Sequence, residues 1–159
     1  MVNRLEVLWT LVTVGLIAAV AAYSTILVYH IDRLPAHPDE YVEVIGHQWF
    51  WEFCYPSNGT CVNTTYTAPP SNSNSLGADS GGSMWVRPAT VVQINVSAVD
   101  VIHSLNIPAL GIRLDAIPGR TNSIAFTIPN VAPGTEYLIQ CTEFCGTYHG
   151  TMRALLVVV

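Results

Sequence analysis

The chain has 159 residues, half of them hydrophobic, and only 11% carry charge, against roughly 25% in an ordinary soluble domain. That length allows one domain of ordinary size and little else. With no lysine and a net charge of −5 there is no basic face for nucleic acid. The chain also lacks a GxxxxGK[ST] phosphate loop, an HExxH helix and a GxSxG elbow.

From Val7 to Tyr29, VLWTLVTVGLIAAVAAYSTILVY runs 23 residues without a charge. As a helix it covers about 34 Å, enough to cross the roughly 30 Å hydrocarbon core of a bilayer with some tilt. Trp9, Tyr23 and Tyr29 lie toward its ends, where amphipathic rings suit the membrane interface. A cleaved signal peptide has an apolar region of roughly 7–15 residues, so this run is too long for one. The expectation is a retained anchor over residues 1–33. Arg4 precedes the span and Arg33 follows it, so counting positive charges does not orient it. Residues 30–40, HIDRLPAHPDE, hold two prolines and four charges and read as an exit linker. This leaves 34–40 between the anchor and a domain over 41–159, and gives His30 and His37 no role beyond solubility.

From Tyr41 the pattern turns strand-like. YVEVIGHQWFWEF mixes alternation with aromatic and β-branched residues, and His47 within it reads as a hydrogen-bonded structural histidine. Cys54 and Cys61 flank YPSNGT, a composition that favours a tight reversal. Facing each other across a hairpin they would form a disulfide and require an oxidising compartment; the alternative is two unrelated buried thiols. A disulfide would place the domain outside the cell and the N-terminus in the cytoplasm. Residues 67–83, rich in Pro, Gly, Ser and Asn, read as a long surface loop. Then come the short apolar runs VVQINVSAV, HSLNIPAL, GIRLDAI, TNSIAFTI, EYLIQC and RALLVVV, each bounded by Pro, Gly or Asn. Their spacing predicts an all-β sandwich or barrel carried by one membrane helix.

CTEFCGTYHGTM, from Cys141 to Met152, places two cysteines, a histidine and a methionine in twelve residues. Thiolate and thioether favour copper, and imidazole suits copper or zinc. His103 is the natural ligand from a neighbouring loop. A Cys141–Cys145 disulfide would leave the histidines and the methionine unexplained. A tetrahedral Cys₂His₂ zinc site would gain nothing from the methionine, and a blue copper site wants one thiolate rather than two. Two thiolates can instead bridge two copper ions, each with one histidine and one weak axial donor. Met152 and the backbone carbonyl of Glu143 would be those axial donors. One electron shared over two metals alters each bond little, which suits fast electron transfer.

These residues resemble subunit II of the haem–copper terminal oxidases, with its binuclear CuA centre. The motif C-x-E-x-C-x₃-H-x₂-M is met by Cys141, Glu143, Cys145, His149 and Met152, with His103 as the remote ligand. SAVDVIHSLNIPALGIRLDAIPGRTN is similar to the segment around that histidine, including Asp115 and Pro118 to Arg120, and GHQWFWEF resembles the aromatic segment. The resemblance implies a cupredoxin-like Greek-key β-barrel on the outer face of the cell (inner) membrane. Trp49 would receive electrons from cytochrome c or another external redox protein. CuA would pass them to haem in subunit I, which carries haem and CuB, reduces oxygen to water and translocates protons. The Glu143 side chain would bind magnesium at the subunit I junction, near Asp115.

Two features depart from the family. Many members have a two-helix hairpin, whereas this chain has one span, as do some members including the ba₃-type oxidases; a small additional membrane subunit would fill the vacant position. Members that dock a basic cytochrome c carry several carboxylates after the aromatic segment. WEFCYPSNGTC offers only Glu52, which implies a mainly apolar docking face. A membrane-tethered copper carrier using the same ligands is the reading from another class, but it gives Trp49, Asp115 and the PGR segment no role.

Overall fold

The computed structural model describes residues 3–31, 33–64 and 82–159. The chain divides into two compact units, Met1–Arg33 and Leu34–Val159. Of the expected 67–83 loop, residues 67–81 lie outside the described residues.

The first unit is a single helix, α1 (Arg4–Ile31). Its start is a reciprocal cap: Leu5 N–H donates to Asn3 Oδ1 and Asn3 N–H donates to Glu6 Oε2, both at 3.2 Å. Two otherwise free backbone donors are thereby satisfied. Apolar side chains are exposed around the whole circumference, with none buried. Thr10, Thr13 and Thr25 return their hydroxyls to the carbonyls of Glu6, Trp9 and Ala21 at 2.7–2.8 Å, so these three hydroxyls are satisfied within the helix. The helix is long and apolar enough to cross a membrane. It also takes in His30, which composition alone assigned to the linker; a histidine at the last turn suits the negative end of the helix dipole.

The second unit is a sandwich of two five-stranded sheets. In spatial order the first holds β3 (Thr60–Asn63), β2 (Phe50–Tyr55), β1 (Glu40–His47), β5 (Val91–Ala98) and β8 (Asn122–Thr127). The second holds β4 (Met84–Val86), β10 (Arg153–Val158), β9 (Glu136–Cys141), β6 (His103–Ile107) and β7 (Ile112–Ala116). β1 runs parallel to β5 and β10 parallel to β4; the other pairs are antiparallel. This is the expected all-β, cupredoxin-like architecture with one N-terminal helix.

Alternation explains the strands. β1 buries Val42 and Val44 while Tyr41 and Glu43 face out, and β2 buries Trp51 and Phe53. With Val92, Ile94 and Val96 of β5 they meet Leu105, Ile107, Ile139 and Leu156 of the facing sheet. Each such side chain contributes about 1.5–3 kcal/mol by leaving water. β1 starts at Glu40, and Asp39 is already tied to the sheet: its N–H donates to Val91 O at 2.8 Å, and its Oδ2 accepts from Val91 N at 2.7 Å.

The run YVEVIGHQWFWEF reverses at Gln48 and Trp49, so that Gly46 faces Trp51 and His47 faces Phe50. The His47 ring stacks on Phe50 at 4.4 Å and its Nε2 pairs with Glu52 at 3.1 Å. Cys54 and Cys61 are direct partners in the β2–β3 register and are joined by a disulfide. The bridge closes a short loop on an edge hairpin. Replacing both cysteines by serine should lower stability by about 2 kcal/mol from the loop-closure term. Thermal melting of the oxidised and reduced chain measures this, and an unchanged melting temperature would contradict it.

Candidate metal centre

Two neighbouring ladders assemble the site. β9 ends at Cys141 and β10 begins after Met152, and Cys141 N–H donates to Met152 O at 3.0 Å, which closes the loop between them. On the other side Cys141 is the register partner of Leu105, and Thr142 N–H donates to Ser104 O at 2.9 Å. His103, the first residue of β6, is carried to the cysteine by that pairing. A short 3-10 turn, His149–Thr151, then brings the second imidazole back toward the loop base.

All six residues expected from the sequence come together. The Cys141 and Cys145 sulfurs are 3.8 Å apart and unbonded. His103 Nδ1 lies 3.9 Å from Cys141 Sγ, and His149 Nδ1 lies 3.5 Å from Cys145 Sγ. The Glu143 carbonyl is 3.3 Å from Cys141 Sγ, and Met152 Sδ is 3.9 Å from Cys145 Sγ. His103, Cys141, Cys145 and Met152 are buried, whereas His149 is half-buried and Glu143 is exposed. Two free thiols, two ring nitrogens and a thioether in one mostly buried cluster form a soft donor set, and it fits copper.

The two thiols are not equivalent. Burial pushes the Cys141 thiol up, but hydrogen bonding to His103, the backbone at Ser104 and Glu143, and His149 outweighs it and brings the pKa down to about 6. Cys145 is pushed up to about 12, by burial and then by the charge on Cys141. His103 is raised: burial lowers it, yet its hydrogen bonds to Cys141 and Asp100 win.

Asp100 was missed by sequence reasoning. Its Oδ1 lies 2.9 Å from His103 Nε2, while its carboxylate accepts from Gln48 N–H and Val101 N–H, both at 2.6 Å. Partial burial raises its pKa, but these bonds lower it further, so it stays ionised. A carboxylate on Nε2 fixes the tautomer and leaves Nδ1 free to face the sulfurs. The only signal was an aspartate three residues before a histidine at a strand start.

Gln48 and Trp49 meet the same loop from the opposite sheet. Gln48 Nε2 and Trp49 Nε1 both donate to the Cys145 carbonyl, at 2.8 and 3.0 Å. Gly146, with φ of +117°, leaves room for them, since a Cβ there would sit 3.1 Å from Gln48 Nε2 and from Trp49 Cζ2. Tyr148 packs edge-on against Trp49 at 4.9 Å. Phe144, Tyr148, Val99, Val101 and Ile102 are exposed around the loop. Asp115 faces Ser104 in the β6–β7 ladder and accepts its hydroxyl at 2.8 Å. Among the described residues no hydrogen bond joins Asp115 to the Glu143 side chain.

A model of the family "Cytochrome C oxidase subunit II, periplasmic domain" matches residues 41–159. The chain belongs to the cytochrome c oxidase subunit II family. A probable cytochrome c oxidase subunit 2 from Rickettsia conorii is 30% identical over 98% of this chain and 49% of its own length, so the chain spans about half the length of that relative. The periplasmic domain of subunit II of cytochrome oxidase from Bradyrhizobium japonicum superposes with a TM-score of 0.68 at 31% identity, covering 79% of this chain and 88% of that one. A second solved subunit II domain, held in a mixed disulfide with a thioredoxin-like protein, gives a TM-score of 0.64 at 32% identity, covering 80% and 85%. Copper binding is expected of the subunit II family, and the donor cluster lies within its matched domain.

If Asp100 holds His103 for metal, Asp100→Asn should weaken copper affinity about 10- to 100-fold while leaving the fold intact. Competition titration against a copper chelator measures this, and wild-type affinity would remove Asp100 from the site.

Proposed function

We propose that this chain is the electron-transfer subunit of a haem–copper terminal oxidase. His103, Cys141, Cys145, His149, Met152 and the Glu143 carbonyl would hold its binuclear CuA centre. When bound, the copper pair supplies a one-electron carrier whose charge is spread over two metals and two thiolates. The observation that carries this reading is the pair of unbonded sulfurs at 3.8 Å with one histidine against each, His103 on Cys141 and His149 on Cys145. A single tetrahedral ion would use both imidazoles at one point and leave the buried Met152 thioether idle.

The chain's own residues divide the remaining work. Burial of His103, Cys141, Cys145 and Met152 keeps water from the sulfurs. Trp49 reaches the site through its indole N–H on the Cys145 carbonyl, a short route from the surface to a sulfur ligand. The exposed Phe144 and Tyr148 beside it offer an apolar face to a donor, cytochrome c or another external redox protein. Glu52, the one carboxylate of WEFCYPSNGTC, hydrogen-bonds His47, so that segment offers no cluster of charge to steer a basic partner. The helix would anchor the domain on the periplasmic side with the N-terminus in the cytoplasm, an orientation the Cys54–Cys61 disulfide supports.

Electrons would go on to haem in subunit I, where oxygen is reduced to water and protons are moved. The Glu143 side chain would bind magnesium at that junction, and a small additional membrane subunit would complete the bundle. In an oxidising compartment the Cys141–Cys145 pair would need reduction before taking up metal. A thioredoxin-like protein, of the kind trapped on the related domain, is the fitting reductant. A copper carrier is the weaker reading, because donors pinned by ladder bonds, Asp100, Gln48 and Trp49 suit retention rather than exchange.

The chain loaded with copper should bind two ions, turn purple and show one unpaired electron delocalised over both nuclei by electron paramagnetic resonance. Cys141→Ser or Cys145→Ser should abolish that signal. One zinc, or one copper with a blue-copper spectrum, would refute the proposal. Met152→Leu should keep two coppers but shift the reduction potential, because an axial thioether tunes the metal without holding it; voltammetry on the purified variant reads the shift.

A further inference from the structure

Gly46 lies in the interior of β1, between Trp51 of β2 and Ala98 of β5 in the ladder. Glycine is a poor residue for a strand interior, since it is entropically costly and brings no side chain to pack. Nor does backbone conformation call for it, because Gly46 is not among the residues with positive φ. What calls for it is space. A Cβ on Gly46 would sit 2.8 Å from His103 Cδ2, 3.1 Å from His103 Cγ and 3.3 Å from Trp51 Cζ3. The first distance is closer than real Cβ contacts come.

His103 has little freedom to give way. It is fully buried, its Nε2 is held at 2.9 Å by Asp100, its Nδ1 faces Cys141, and Trp51 meets it edge-on at 5.9 Å. The β1 backbone is equally held, with strands hydrogen-bonded on both sides and Val99 N–H donating to Gly46 O at 3.2 Å. A methyl group at position 46 must therefore displace the ring, and any displacement of so constrained a ring moves Nδ1.

We propose that Gly46 is a positioning residue for His103: its missing side chain lets the imidazole bed against β1 and thereby sets where Nδ1 stands relative to the sulfur pair. The sheet opposite the ligand loop thus takes part in setting the metal's environment without supplying a ligand. This rests on the copper reading above for its effect on redox properties, but not for its effect on the ring.

The test uses the full chain in four forms: wild type, Gly46→Ala, Trp51→Phe, and the two combined. With copper, Gly46→Ala should still bind two ions, but with altered absorption bands, altered histidine couplings and a shifted reduction potential. Trp51→Phe removes the six-membered ring that carries Cζ3, so the double variant should regain much of the wild-type spectrum and potential even as its melting temperature falls further. That opposite movement separates positioning from general loss of stability. Without copper, the ¹⁵N shifts of the His103 ring should move in Gly46→Ala and return in the double variant. A wild-type ring signal, spectrum and potential in a folded Gly46→Ala chain would overturn the proposal. So would changes that the Trp51→Phe substitution fails to reverse. Absence of a copper pair in the wild type would sink the copper reading while leaving the ring measurement to decide on Gly46.

Discussion

The pairing of β6 with β9 is the constraint on which the rest of the structure depends. Leu105 opposite Cys141, with Thr142 N–H on Ser104 O, sets His103 beside a cysteine 38 residues later in the chain. Without that register the motif loop would hold three soft donors and one imidazole with nothing to complete them. With it, a rigid backbone ladder rather than a flexible side chain determines the separation of nitrogen and sulfur. A shift of one residue would turn His103 to the opposite face of its sheet.

The same ladder explains why the two thiols differ. Both lie in a low-dielectric setting that disfavours charge, and their sulfurs are too close for both to ionise easily without a cation. The imidazole of His103, backed by Asp100, settles the competition in favour of Cys141. A bound dication or pair of cations would reverse the penalty at Cys145 and release its proton. Without a cation the pair therefore holds one proton back, on Cys145.

The parts of the molecule that depend on local pattern were legible in the sequence. The apolar helix declares itself by an uncharged run, and the strands by alternation such as Val42, Val44 and Trp51, Phe53. The donor loop is readable because Cys141, Cys145, His149 and Met152 are close in sequence, and the Cys54–Cys61 pairing was visible, though undecided, in the reversal between them. What escaped were contacts between distant segments. Asp100 behind His103, and Gln48 beside Trp49 on the Cys145 carbonyl, depend on a reversal at Gln48 that brings the end of β1 to the 141–152 loop; their residue types are unremarkable alone. The parallel pairing of β1 with β5 was equally hidden, since periodicity gives the face of a strand but not its neighbour. His30 was misplaced because a charged flank with prolines nearby looks like linker, while a helix continues as long as its backbone bonds can be made.

These unread contacts share a physical purpose under the proposed function. A carrier that changes charge quickly must keep nearly the same geometry in both states, and soft ligands alone do not ensure this. Here each ligand is fastened from behind: Cys141 by its ladder bonds, Cys145 by two donors on its own carbonyl, His103 by Asp100 on one side and β1 on another. His149, half-buried and joined to the loop by a short 3-10 turn, is the least confined of the four strong donors. The confinement is thus graded, tight where the cluster is buried between the sheets and looser toward the surface. That gradient leaves His149 on the side nearest the surface and the sulfur pair, on which low rearrangement would depend, in the buried part of the fold.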